Sequence, residues 1–212
     1  MSSSLSSRLV KIYEILFTFY GPQHWWPARS RFEVMLGAIL TQNTNWKNVE
    51  KAIGNLRKEG PLRYETLQPL SLHKLAELIR PSGYFNIKAD RIKSFCRFIR
   101  TEYQGNPRNM FKEDTDELRE KLLRVKGIGP ETADSILLYA ARRPIFVVDA
   151  YTRRILSRHG LCDENSSYSH IQDLFMKNLP PDEKMFNEYH ALLVQVGKSH
   201  CTPTPVCSRC PL

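Results

Sequence analysis

Four groups of residues in this 212-residue chain have types and spacings that could do chemistry. The first is Lys126-Gly127-Ile128-Gly129-Pro130. Two glycines one residue apart let the backbone turn tightly and expose its N–H groups. Pro130 suits the first position of a following helix, where its missing N–H costs nothing. Amides presented at a helix N-terminus can hold one phosphate, although the same five residues would also serve an ordinary helix–helix connection. The second is Asp149, which follows the apolar run Ile145-Phe146-Val147-Val148 and opens a helical stretch. Aspartate is a favoured N-cap, and helix amides at that place keep a carboxylate ionised. The third is the tail, Cys201-x5-Cys207-x2-Cys210. The fourth is the tryptophans, Trp25-Trp26 side by side before Pro27, and Trp46; the plain alternative for these rings is the core.

Helices must position these residues. Leu5, Leu9, Ile12, Leu16 and Phe19 recur at helical spacing until Gly21-Pro22. Ser30-x-x-Glu33 has the spacing of a capping box and leads into Phe32, Leu36, Ile39 and Leu40. Thr41 to Asn45 ends that helix, with Thr44 or Asn45 free to cap the next. Trp46, Val49, Ile53 and Leu56 then make a stripe that stops at Gly60-Pro61. Further helices are expected over 72–79, 87–102, 116–123, 132–141, 150–159, 168–179 and 182–198, with no internal repeat. The fold class is all-α.

Composition narrows the partners. A formal charge of +9 and a pI near 9.4 favour a polyanion, although basic charge also occurs in proteins that bind none. No apolar run approaches membrane-spanning length, so no membrane is expected. Residues 1–7 are serine-rich and expected to fray, while Lys11 and Glu14 interrupt the apolar run behind them. That excludes a secretory signal and places the protein inside the cell, in the cytoplasm or on the nucleoid. Five cysteines, three of them in the tail, suit a reducing compartment and a metal site better than a disulfide framework. Cys96 and Cys162 read as plain thiols.

The hairpin LLRVKGIGPETAD followed at this offset by VVDAYTRRI resembles the helix-hairpin-helix DNA glycosylases, the superfamily of endonuclease III and of the adenine and alkylpurine glycosylases. The resemblance covers residues 24 to 210. It implies two helical lobes with a cleft between them: 27–143 carrying the hairpin, 1–26 with 144–200 carrying the aspartate, and 201–212 as a cysteine loop. It implies a monomer acting on double-stranded DNA that holds a damaged base. It makes Asp149 the catalytic carboxylate, facing the oxocarbenium-like sugar or orienting a water. Lys126, Gly127, Ile128, Gly129 and Arg153 become backbone contacts, with Arg154 beside them, although the two arginines would equally form a solvated face. Gln42, in Thr-Gln-Asn-Thr, matches a loop glutamine that enters the gap left by a flipped nucleotide; a polar helix cap is the other reading.

Two departures refine the expectation. Glu131 stands directly after Gly-Ile-Gly-Pro, at the catalytic position where bifunctional members such as endonuclease III carry a lysine. That lysine forms a Schiff base and a carboxylate cannot, so the resemblance becomes one to a monofunctional glycosylase; Glu131 can also be read as a helix-start carboxylate. Endonuclease III relatives close with four cysteines around a [4Fe–4S] cluster. Here the first gap is one residue shorter and a fourth cysteine is not seen. The sequence continues to one, or the cluster takes an outside ligand, or the cluster is lost, with zinc a weaker alternative. The tryptophan pair before proline, with LGAILTQNTNW, resembles the 3-methyladenine glycosylases, whose aromatics sandwich the flipped base. Positively charged alkylpurines stack well on π faces. The expected activity is therefore removal of alkylated purines. The rivals are an endonuclease III-like lyase on damaged or mismatched pyrimidines, and a non-catalytic DNA-binding module.

Overall fold

A computed structural model describes residues 4–212, and every regular element among them is helical. In chain order the α-helices are α1 (Leu5–Tyr20), α2 (Arg31–Leu40), α3 (Trp46–Lys58), α4 (Tyr64–Leu67), α5 (Leu72–Leu78), α6 (Phe85–Tyr103), α7 (Thr115–Leu123), α8 (Pro130–Ser135), α9 (Ala150–Arg158), α10 (Tyr168–Met176) and α11 (Glu183–Ser199). Of the serine-rich start, Met1–Ser3 lie outside the described residues, while Ser4 caps α1 by accepting from the Ser7 amide at 3.2 Å. The helix expected over 132–141 begins instead at Pro130 and passes into a π turn at Ile136–Ala140, closed by Ala141 N–H donating to the Ile136 carbonyl at 3.0 Å. No helix among the described residues is long and apolar enough to cross a membrane.

The chain divides into two compact units. One is Ala28–Ala141; the other joins the described residues up to Pro27 with Arg142–Leu212. In the first, α2 is the central helix, buried from Phe32 to Leu40 and packed on α3, α6, α8 and the π turn. Each Leu, Ile or Met it buries contributes roughly 1.5–3 kcal/mol. Only half of the expected capping box forms. Ser30 accepts from the Glu33 amide at 3.2 Å, but the Glu33 carboxylate turns to the Arg57 guanidinium of α3. A full positive charge outbids one amide for a buried carboxylate. Asn45 caps α3 through the Asn48 amide at 3.1 Å.

In the second unit, the core is aromatic. Phe146 stacks on Phe175 with centroids 3.6 Å apart and meets Phe186 and Tyr189 edge-on. Ile145–Val148 forms no regular element, and no strand pairs with it among the described residues. Buried backbone groups still need partners, and side chains of α10 supply them. Gln172 donates to the Phe146 carbonyl at 2.7 Å, Phe146 N–H meets the Met176 sulfur at 3.3 Å, and Val148 N–H meets the Tyr168 hydroxyl at 3.4 Å. This stretch is thereby fixed and delivers Asp149 to the head of α9.

Candidate nucleic-acid interface and catalytic carboxylate

Within the Ala28–Ala141 unit the glycine turn sits between α7 and α8, with Pro130 at the first position of α8 as expected. Gly127 has φ +86°, the left-handed region that favours glycine. Its N–H and that of Gly129 make no backbone hydrogen bond among the described residues, so the turn offers two amides to an anion. Ile128 behaves differently from the expectation of a backbone contact. Its side chain is buried and its N–H donates to the Val125 carbonyl at 3.0 Å; it anchors the turn from beneath. Lys126 is exposed, 2.8 Å from Asp90. Beside it lies a groove of about 380 Å³ that includes Arg97, Lys121 and Arg124.

Gln42 reaches into the same turn. Its amide nitrogen donates to the Gly127 carbonyl at 3.0 Å and the Thr132 hydroxyl at 2.8 Å, and its oxygen accepts from the Arg91 guanidinium. Lys88, one turn of α6 earlier, is buried and donates to the carbonyls of Leu40 at 2.8 Å and Ser82 at 2.6 Å. Burial pushes its pKa down to about 8, and the nearby Arg91 charge adds to the shift. Glu131 is exposed in the first turn of α8, where a carboxylate suits the helix dipole. Trp46 is half-buried at the start of α3. A depression of about 890 Å³ among Arg31, Tyr64 and Phe111 includes neither Trp46 nor Gln42 nor the turn.

In the other unit, Asp149 is the N-cap of α9. Its Oδ1 accepts from the Thr152 amide at 2.7 Å, and its Oδ2 lies 3.6 Å from His190 Nε2 of α11. The carboxylate is 13% exposed. Burial raises its pKa, but His190, together with the Thr152 contacts, outweighs burial and leaves the pKa below the usual value. The charge of Asp149 in turn acts on Lys198, whose pKa burial lowers and Asp149 raises. The same α11 anchors the tryptophan segment: Glu188 accepts from the Gln23 amide at 2.6 Å. Trp25 and Trp26 are half-buried, with centroids 5.0 Å apart and planes at 46°. That is the separation of rings already in contact, so a base can stack on this pair but not between its members.

Arg153 is engaged by the protein itself, donating to the Ser166 carbonyl, and Arg154 donates to the carbonyls of Cys201 at 2.6 Å and Gly197 at 3.1 Å. Both arginines tie α9 to its neighbours. The three tail cysteines do not fit a cluster as they stand. Cys201 is buried and its sulfur takes a contact from Arg158 at 3.3 Å, while Cys207 is exposed. Among the described residues no group of three His, Cys, Asp or Glu side chains is gathered for a metal. Sequence reasoning passed over Arg91 and His190, which sit on unremarkable helix faces. It also passed over Tyr84, 65% exposed at φ +46° before α6, although Pro81-Ser82-Gly83 ahead of an aromatic residue was a readable turn signal.

Among the described residues every regular element is helical, one helix starts at a glycine turn and another is capped by a shielded carboxylate. Residues 36–181 match the family model described as HhH-GPD superfamily base excision DNA repair protein, and the chain belongs to that superfamily as a DNA repair glycosylase. Among curated relatives, MJ1434 of Methanocaldococcus jannaschii, provisionally named a DNA repair glycosylase, is 49% identical over 214 residues, covering 100% of this chain and 97% of its own. Endonuclease III of Sulfolobus acidocaldarius is 29% identical over 185 residues, 86% of this chain and 80% of its own. Among solved structures, the Helicobacter pylori 3-methyladenine DNA glycosylase bound to 1,N6-ethenoadenine is 30% identical with a TM-score of 0.79, covering 92% of this chain and 98% of that one.

Proposed function

We propose that this protein is a monofunctional glycosylase that removes alkylated purines of the 3-methyladenine type from duplex DNA, acting as a monomer. The observation that carries the reading is the state of Asp149: a shielded carboxylate kept ionised by a helix amide and by His190. Alkylation places positive charge on the base, so the C1′–N bond breaks with its electron pair moving onto the base and neutralising it. The sugar is left oxocarbenium-like, and a nearby fixed negative charge stabilises it. Water then adds to C1′ and gives up a proton, leaving free base and an abasic site. Trp25, Trp26 and Trp46 supply π faces for the cationic purine. The turn amides of Gly127 and Gly129, with Lys126, hold backbone phosphate.

Glu131 supports release by water rather than by an amine, since no imine can form on a carboxylate. The likeness to a 3-methyladenine enzyme along nearly its whole length supports the purine. Similarity to endonuclease III supplies the competing reading, a pyrimidine enzyme that also nicks the strand. The test is a panel of duplexes with single defined lesions, with base release scored separately from strand scission. Release of 3-methyladenine without scission is expected. Asp149→Asn should bind the same duplexes and release base about a thousandfold more slowly. Preferential release of an oxidised or mismatched pyrimidine, or normal release by the variant, would overturn the reading.

A further inference from the structure

Arg91 lies on α6, away from the glycine turn in sequence, yet two contacts tie it to that turn. Its guanidinium donates to the Gln42 oxygen. Gln42 passes the link on, its amide donating to the Gly127 carbonyl and the Thr132 hydroxyl. The aliphatic stem of Arg91 covers the Gly127 Cα so closely that a Cβ there would meet Arg91 Cγ at 2.2 Å and Cδ at 2.6 Å. One turn earlier on the same helix, Lys88 fixes the Leu40 carbonyl, just ahead of the loop that carries Gln42. Three segments distant in sequence, the 41–45 loop, α6 and the turn with the start of α8, are thereby tied at one point. A glutamine acting as a gap filler would first have to give up all of these bonds.

We propose that Arg91 is a positioning residue, a brace that works through Gln42 to hold the glycine turn and the 41–45 loop in one pre-set arrangement before DNA arrives. A turn whose Gly127 carbonyl and Thr132 hydroxyl are held from behind keeps its Gly127 and Gly129 amides aimed outward. Binding then avoids the cost of ordering them. The effect on DNA rests on the function proposed above; the brace itself does not.

Two measurements on the full chain keep those statements apart. Hydrogen exchange on the free protein asks whether the brace exists. Arg91→Ala and Gln42→Ala should each speed exchange at the Ile128 and Ala133 amides, which bond to Val125 and Gly129, about tenfold, as loss of a hydrogen bond to a charged group implies. Arg91→Met keeps the stem on Gly127 without the guanidinium and should match Arg91→Ala if the bond to Gln42 is what matters. Circular dichroism melts identify any variant that has simply unfolded, and the remaining variant then decides. Affinity for a duplex with a stable abasic-site analogue asks whether the brace serves DNA. Each single variant should weaken binding about tenfold, and the double variant no more than either, because both cut one linkage. Single-turnover base release by Arg91→Ala at saturating protein should change little, which separates positioning from chemistry. Unchanged exchange in Arg91→Ala would overturn the brace. Additive losses, or a loss from Gln42→Ala with none from Arg91→Ala, would make Gln42 a direct DNA contact and overturn it too. Altered exchange in a protein that releases no base would leave the brace standing and sink the glycosylase reading.

Discussion

The Arg119 guanidinium of α7 grips the fully buried Asp134 carboxylate of α8 through two bonds, Nε to Oδ1 at 2.6 Å and Nη2 to Oδ2 at 3.0 Å. These helices flank the glycine turn, so this fork sets the angle at which the turn is held. The partners differ in shelter, Asp134 at 0% exposure and Arg119 at 27%. Arg119→Ala removes the fork from a buried carboxylate and should cost about 3–5 kcal/mol. Asp134→Ala lets the arginine turn to water and should cost less. Replacing both, with Met at 119 and Leu at 134, should recover most of the loss, because well-packed apolar pairs substitute for buried ion pairs. Urea unfolding of the three variants checks the ranking.

Gly197 of α11 faces Tyr151 of α9, where an added Cβ would lie 2.5 Å from the ring edge and 2.8 Å from the Tyr151 Cβ. Both are close to rigid groups, so the helices must move apart to admit a methyl. Gly197→Ala should cost about 1–3 kcal/mol as overpacking and lower the melting temperature by roughly 2–4 °C per kcal/mol. It should also slow base release beyond what the lost stability explains, since α9 carries Asp149 and α11 carries His190. Gly197→Ala with Tyr151→Ala should restore part of both. An unchanged rate in the folded single variant would show that the α9–α11 spacing does not matter to the carboxylate.

Local signals carried the helices. The stripes over α1, α2 and α3, the Ser30 and Asn45 caps and Pro130 at the start of α8 follow from side-chain period and capping chemistry, which neighbouring residues encode. The π turn did not announce itself, because Ile136–Ala140 has the composition of an ordinary buried helix. The partners of the site were hidden for another reason. Arg91 meets Gln42 across 49 positions, and His190 meets Asp149 across 41. Such meetings are made by packing, not by local spacing. Glu33 illustrates both cases: its place three residues after Ser30 foretold the cap, while Arg57, 24 residues on, takes its carboxylate.

Glu131 leads to a prediction about products. With a carboxylate following Gly-Ile-Gly-Pro, incubation with lesion DNA and borohydride should trap no covalent complex, and strands should break only after alkali. Introducing the amine by Glu131→Lys should produce a trapped fraction, provided the sugar lies within its reach. That variant removes a favourable charge from the α8 N-terminus, at about 0.3–1 kcal/mol, so it should still fold. Trapping by the unchanged protein would show that another lysine attacks, and Lys126 would be the first to replace.

The closing prediction concerns acid. Asp149 titrates below the ordinary 3.8 in the folded protein although burial alone would raise it. Its charged form is thus favoured by folding, and the stability it contributes is present above 3.8 and lost as pH falls through the lower folded value. The groups acting on it are the Thr152 amide of α9, and His190 and Lys198 of α11. His190→Gln removes an ionisable partner and leaves burial opposed by the Thr152 contacts and Lys198, so the Asp149 pKa must rise. The acid limb of the kcat/KM profile should therefore move to higher pH in the variant, while the rate at neutral pH falls less than in Asp149→Asn. Lys198→Met should move the limb the same way by a smaller amount, since His190 is the first group that opposes burial at the carboxylate. Profiles on a single-lesion duplex from about pH 3 upward, which reaches below the ordinary carboxylate titration, decide the matter. An acid limb that stays fixed in His190→Gln would mean that the carboxylate is held ionised without the imidazole.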